Sequence, residues 1–156
     1  PLLKKQNLRN NVYASRSMTD LFSEEKVRSS RVRPVTSAAS VVAWGNGKGN
    51  FSVTDLPDPA QFSSIAAVLI TDLNKDQQPD LVISGNEFDF QPQLGRLDAS
   101  EGTIMINEGK RQWRVEKEGL GLKGMVREVI SIRRTGKETY YLFLINQEAP
   151  QLYVKQ

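Results

Sequence analysis

From Ala38 onward the chain is cut into nine short runs of Val, Ile, Leu and aromatic residues: Val41 to Trp44, Phe51 to Val53, Ile65 to Ile70, Leu81 to Ile83, Thr103 to Ile106, Trp113 to Val115, Val126 to Ile132, Tyr140 to Ile145 and Leu152 to Val154. Clusters of Gly, Asn, Asp and Pro separate them. Short runs rich in β-branched and aromatic residues, bounded by turn formers, read as strands. Nine of them at close spacing predict an all-β fold. The turn chemistry agrees, because Asn46-Gly47 and Glu108-Gly109 each lie between two runs, where a tight turn needs positive φ and Gly supplies it without steric cost.

The first 37 residues differ from the other 119, residues 38–156. Leu2 to Arg9 and Ser17 to Phe22 are rich in helix formers, and Ser17-Met18-Thr19-Asp20 places a hydroxyl at a cap position with an acid three residues on. One or two short helices are expected there, with Leu3, Leu8, Val12, Tyr13, Leu21 and Phe22 as apolar anchors. Ser23 to Thr36 is polar, basic and contains Pro34, so it is expected to be loop with extended pieces.

At 156 residues the chain suffices for one domain with its own core. The net charge of +3 is mild, and the densest basic groups, Lys26/Arg28/Arg31/Arg33 and Arg127/Arg133/Arg134/Lys137, are not interleaved with stacking aromatics, which argues against a nucleic-acid partner. The absence of His removes the commonest general base, and the absence of Cys removes thiolate catalysis and zinc-thiolate sites. No apolar run approaches the ~18 residues of a membrane span. A start at Pro1-Leu2-Leu3-Lys4-Lys5 without Met reads as a piece of a longer or processed protein.

The chain also repeats itself. Val42 to Val53 lies over Ile104 to Val115 without a gap, matching strand, turn Gly, Lys, aromatic and Val; further on, Ala66 to Ile70 falls near Glu128 to Ile132, and Leu81 to Asn86 near Tyr141 to Asn146. A repeat of about sixty residues made of four short strands predicts β-propeller blades of four antiparallel strands, about two of them, covering residues 38–100 and 101–156. The repeats differ in one loop. The first carries Asp72-Leu73-Asn74-Lys75-Asp76-Gln77-Gln78-Pro79-Asp80, and the second a short basic turn, Arg133-Arg134-Thr135-Gly136-Lys137.

Oxygen-bearing side chains at Asp72, Asn74, Asp76, Gln78 and Asp80 fall at every other residue of that loop. Such spacing wraps oxygens around a hard cation, and Ca²⁺ takes roughly six to eight of them at short range. Asp72, Asn74, Asp76 and Asp80 would give side-chain oxygens and Gln78 its backbone carbonyl. The alternative is an acidic hairpin turn whose side chains cap their own backbone. For catalysis the parts are scattered carboxylates, Glu87, Asp89, Asp98 and Glu101, which offer a carbohydrate-active hydrolase as the second reading of residues 86–101. Arg96 and Asp98, two apart, either pair to pin that loop or face a ligand. Trp44, Phe51 and Trp113 at strand and turn ends are expected to be packing residues.

The turn Trp44-Gly45-Asn46-Gly47-Lys48-Gly49-Asn50-Phe51, followed by the acidic loop ending in Asp80-Leu81, resembles the FG-GAP (VCBS-type) repeats of integrin-α-like β-propellers. Gln61-Phe62-Ser63, Gly85-Asn86, Gln93 to Ala99 and the ending Asn146 to Val154 look like the C-terminal part of the bacterial group that carries an ASPIC/UnbV segment. The resemblance implies a secreted, periplasmic or surface-attached protein with Ca²⁺ in the hairpin loop; with no catalytic constellation in the sequence, a non-catalytic binding or scaffolding module with a protein or glycan partner is expected. Two blades cannot close a ring, so either the remaining blades belong to another part of the polypeptide or the uncovered edges pair with another chain, and an oligomer or a compact sandwich-like arrangement is expected. The family loop has Gly sixth, where this chain has Gln77, a residue forced there to positive φ at a cost of about 1 kcal/mol.

Overall fold

The computed structural model describes residues 9–91, 95–133 and 138–154, in two units divided after Ala38. All of the expected helix from Leu2 to Arg9 except Arg9 itself lies outside the described residues, as do Gln93, Leu94 and most of the basic turn. Among the described residues of the first unit three short helices follow one another: α1 (Asn10–Ala14), α2 (Met18–Leu21) and α3 (Glu24–Ser29). The Ser17 hydroxyl accepts from the Asp20 N–H while the Asp20 carboxylate accepts from the Ser17 N–H, so the expected capping box starts α2. Helix α3 lies where a loop was expected. Ser23 caps it, Glu24 and Glu25 occupy its positive end, and Arg28 reaches back one turn to Glu24 at 3.3 Å.

In the second unit every predicted run is a strand: β1 (Val41–Gly45), β2 (Phe51–Asp55), β3 (Ile65–Thr71), β4 (Asp80–Gly85), β5 (Thr103–Asn107), β6 (Trp113–Val115), β7 (Val126–Arg133), β8 (Thr139–Ile145) and β9 (Gln151–Val154). All pairings between them are antiparallel and between sequence neighbours. They form a two-stranded, a four-stranded and a three-stranded sheet, β1-β2, β3-β4-β5-β6 and β7-β8-β9. The four-stranded sheet thus takes its first half from one sequence repeat and its second half from the next. The breaks fall at the β2–β3 link, which carries a 3-10 turn (Asp58–Gln61), and at the β6–β7 link.

The central sheet is covered on both faces at β4, which is buried along its whole length, while β3 leaves Val68 and Ile70 exposed on the side of the β1–β2 hairpin. Alternation along β4 sends Leu81 and Ile83 to one side and Val82 to the other. On the first side they join Leu56, Ala60 and Met105, with Val42 of β1 and Trp113 of β6 packed against them, and the rings of Trp44 and Trp113 stack at 5.9 Å. On the second, Ala67, Val82 and Ile106 meet Val129, Phe143 and Ile145 of the third sheet. Trp44 and Trp113 are packing residues as expected. Phe51 is not: strand alternation turns it, with Val41 and Val53, to the far face of the β1–β2 hairpin, where it is 68% exposed.

Bulges sharpen the repeat. Ile65 pairs with Gly85 and Ala67 with Ser84, leaving Ala66 between them; Val126 pairs with Ile145 and Glu128 with Leu144, leaving Arg127. Ala66 is therefore the counterpart of Arg127, one residue earlier than the sequence comparison places it. A slip of one residue exchanges the two faces of a strand, so Val68 corresponds to Val129 and Leu69 to Ile130.

Candidate cation loop and its neighbours

Residues 72–79 join β3 to β4, and Leu73 anchors them in the core. The exposed side chains close the loop around its own backbone. Asp72 accepts from the N–H of Asp76 through Oδ1 at 3.1 Å and of Gln77 through Oδ2 at 2.9 Å. The Asn74 Oδ1 accepts from the Asp76 N–H at 3.1 Å, and the Asp76 Oδ1 from the Gln78 N–H at 2.8 Å. Asn74 Nδ2 donates to Asp76 Oδ2 at 2.8 Å. The chain bends with positive φ at Lys75 (65°) and at Gln77 (70°), the position where a Gly was expected to be favoured. Gln77→Gly should therefore gain about 1 kcal/mol of stability by relieving left-handed strain, read as a higher urea midpoint at unchanged slope.

Asp80 is placed differently from the other predicted ligands. It is fully buried at the start of β4, its Oδ2 accepting from the Leu73 N–H at 2.7 Å and its Oδ1 from the Asn107 N–H at 2.8 Å. Asn107 in turn donates to the Pro79 carbonyl at 3.2 Å and accepts from the Gly109 N–H at 3.0 Å. Asp80 thus ties the loop to β5 and its turn, and the exposed donor set is Asp72, Asn74 and Asp76, with Gln78 following. These oxygens suit a hard cation, and each carboxylate or amide oxygen keeps a second lone pair beyond its N–H bond. Among the described residues no group of three His, Cys, Asp or Glu side chains converges as a cage.

The opposite end of β4 carries a hub that sequence reading noted only as a Gly-Asn pair. Asn86, buried and at φ 127°, donates through Nδ2 to the carbonyls of Ser100 and Gly124 and accepts through Oδ1 from the Ser63 hydroxyl and the Ser100 N–H. Gly85 before it has no room for a side chain, since a Cβ would stand 1.8 Å from the Ser64 carbonyl oxygen. A buried polar residue that spans three loops leaves no periodic signature in a sequence.

Residues 86–101 place their charges in pairs. Arg127 reaches Glu87 at 3.4 Å and Asp89 at 3.3 Å, and Arg96 pairs with Asp98 at 2.9 Å while its guanidinium sits 4.5 Å from the centre of the Phe88 ring. Glu87, Asp89 and Asp98 are each committed to an arginine. Glu101 is exposed, and its backbone carbonyl accepts from the Leu122 N–H. These exposed ion pairs pin the loop at about 0–1 kcal/mol each. Among the described residues no helix is long and apolar enough to cross a membrane. No family model matches the chain, and neither does any curated protein or solved structure.

Proposed function

We propose that the chain is a non-catalytic, extracytoplasmic binding or scaffolding module built from FG-GAP-like β-propeller repeats, with one Ca²⁺ held in the loop between β3 and β4. The observation that carries this reading is the stack of sheets, each an antiparallel meander of sequence neighbours, with β7 of the third running against β3 of the second. In propeller terms the four-stranded sheet is one whole blade, flanked by two outer strands of a preceding blade and three strands of a following one. Asp72, Asn74 and Asp76, with the Gln78 carbonyl, would hold the ion, and Asp80 would brace the loop from inside. The ion would offset the mutual repulsion of the acids and tie two strands together. Its partner would be a protein or glycan at the cell surface.

Titration with Ca²⁺ by calorimetry tests the ion: one saturable site is expected in the wild type and none in Asp76→Ala, and a wild type without binding heat overturns it. A panel of polysaccharides tests the non-catalytic reading. No release of reducing ends is expected; release that disappears in Glu87→Ala and Asp98→Ala would establish the hydrolase instead.

A further inference from the structure

The turn between β1 and β2 carries the chain's only Asn-Gly pair, Asn46-Gly47, and ends in a second asparagine, Asn50. Residues 46–50 are all exposed. Asn46 holds the turn by its side chain, its Oδ1 accepting from the Lys48 N–H at 2.8 Å and from the Asn50 N–H at 3.2 Å, while its main-chain N–H donates to the Asn50 carbonyl. Two groups of the pair have no hydrogen-bond partner among the described residues, the Asn46 side-chain NH₂ and the Gly47 N–H. Gly47, at φ 73°, has nothing within 4 Å of where a Cβ would stand.

These groups can react with one another. Attack of the Gly47 nitrogen on the side-chain carbon of Asn46 closes a five-membered ring, so nucleophile and electrophile are tethered within the same two residues. A side chain on the residue after the asparagine hinders that approach, and glycine has none. Charge that builds on Oδ1 during the attack falls on an atom already held by two main-chain N–H donors, the arrangement that stabilises an oxyanion. No other asparagine among the described residues combines these features. Asn86 and Asn107 are buried, and Asn50, equally exposed in the same turn, is followed by Phe51.

We propose that Asn46 is a site of spontaneous rearrangement to isoaspartate in the folded protein. Hydroxide takes the Gly47 amide proton, the nitrogen bonds to Cγ of Asn46, the Cγ–Nδ2 bond breaks, and the leaving group takes a proton from water and departs as ammonia. Water then opens the cyclic imide, at Cγ to give aspartate or at the main-chain carbonyl to give isoaspartate. The isoaspartyl product has one more carbon in its main chain, and its carboxylate no longer stands where Oδ1 held the Lys48 and Asn50 N–H groups. The Gly45–Phe51 pair that closes the hairpin beside it then loses its fixed register. The inference does not rest on the calcium reading, which concerns the link between β3 and β4.

The test incubates the full chain in mildly alkaline and in mildly acidic buffer and follows its tryptic peptides by mass spectrometry. Cleavage at Arg31 and Lys48 releases residues 32–48, which contain Asn46 and no other Asn or Gln, so the mass gain of an NH₂-to-OH exchange belongs to that residue alone. Progressive conversion is expected, faster in the alkaline buffer, with isoaspartate among the products by electron-transfer fragmentation and a rate about tenfold or more above that of Asn50. Gly47→Ala, for which the exposed turn has space, should slow conversion about tenfold or more with circular dichroism unchanged. Should that variant lose its fold, the ratio of Asn46 to Asn50 conversion in the wild type still decides. An Asn46 that stays intact in the folded chain while a synthetic peptide of residues 42–53 converts would show that the turn protects the bond, and would overturn the proposal. Conversion at Asn50 as fast as at Asn46, a rate indifferent to pH, or equal conversion in a folded Gly47→Ala would overturn it as well.

Discussion

Replacing Asp80 by alanine is expected to cost about 3–5 kcal/mol of folding stability, because two enclosed N–H donors, at Leu73 and Asn107, lose a charged acceptor at roughly 1–3 kcal/mol each and a small void is left behind. Urea unfolding followed by tryptophan fluorescence reads the loss. Asp80→Asn should cost less, since the amide oxygen still accepts one N–H while its NH₂ opposes the other. A loss below about 1 kcal/mol in the alanine variant would mean that the loop is not braced through this residue. Asp76→Ala, at an exposed position, should cost far less without calcium, and that contrast separates the internal strut from the exposed side chains proposed to hold an ion.

The second large effect is expected at Phe143, which is 1% exposed and sits where the third sheet meets the central one. Its ring meets the Tyr153 ring edge-on at 5.3 Å, and the Tyr153 hydroxyl donates to the Leu120 carbonyl. Phe143→Ala should lose about 3–5 kcal/mol, the usual range for an aromatic truncated in a packed core. If the sheets unfold together, fluorescence from the tryptophans of the first two layers and circular dichroism will fall at the same urea concentration. Separate transitions would show that the layers are not one cooperative unit.

Much of this architecture was legible in the chain because its signals are local. Each apolar run became a strand, and the two turn glycines, Gly47 and Gly109, take φ of 73° and 76° as their settings between runs require. Sheet membership was not legible. Residues 56–64 separate two sheets, whereas the longer stretch 86–102 joins two strands of one, so loop length gives no guide. Bulges at Ala66 and Arg127 could not be read either, since nothing in the apolar runs marks them, and matching the runs by their apolar residues alone set the repeat register one residue off.

The candidate loop was legible in its bend and in the gathering of three oxygen-bearing side chains at the turn. The strain anticipated at Gln77 is present, and Asp72, Asn74 and Asp76 gather around the turn. The inward path of Asp80 was hidden because alternate spacing treats all oxygens alike, and only the fold reveals that its neighbours at that point are two buried N–H groups. The buried bridge through Asn86 and the sharing of Arg127 by Glu87 and Asp89 join residues 38 to 40 positions apart, beyond any local pattern.

Thermal unfolding with added Ca²⁺ and with chelator, on the wild type, Gln77→Gly and Asp76→Ala, tests the calcium-braced module most directly. A ligand that binds only the folded state stabilises it by about 2.7 kcal/mol at a hundred times its Kd. The predicted result is a midpoint raised by calcium in the wild type, raised further in Gln77→Gly and unmoved in Asp76→Ala. No shift in the wild type, or the same shift in Asp76→Ala, would contradict it.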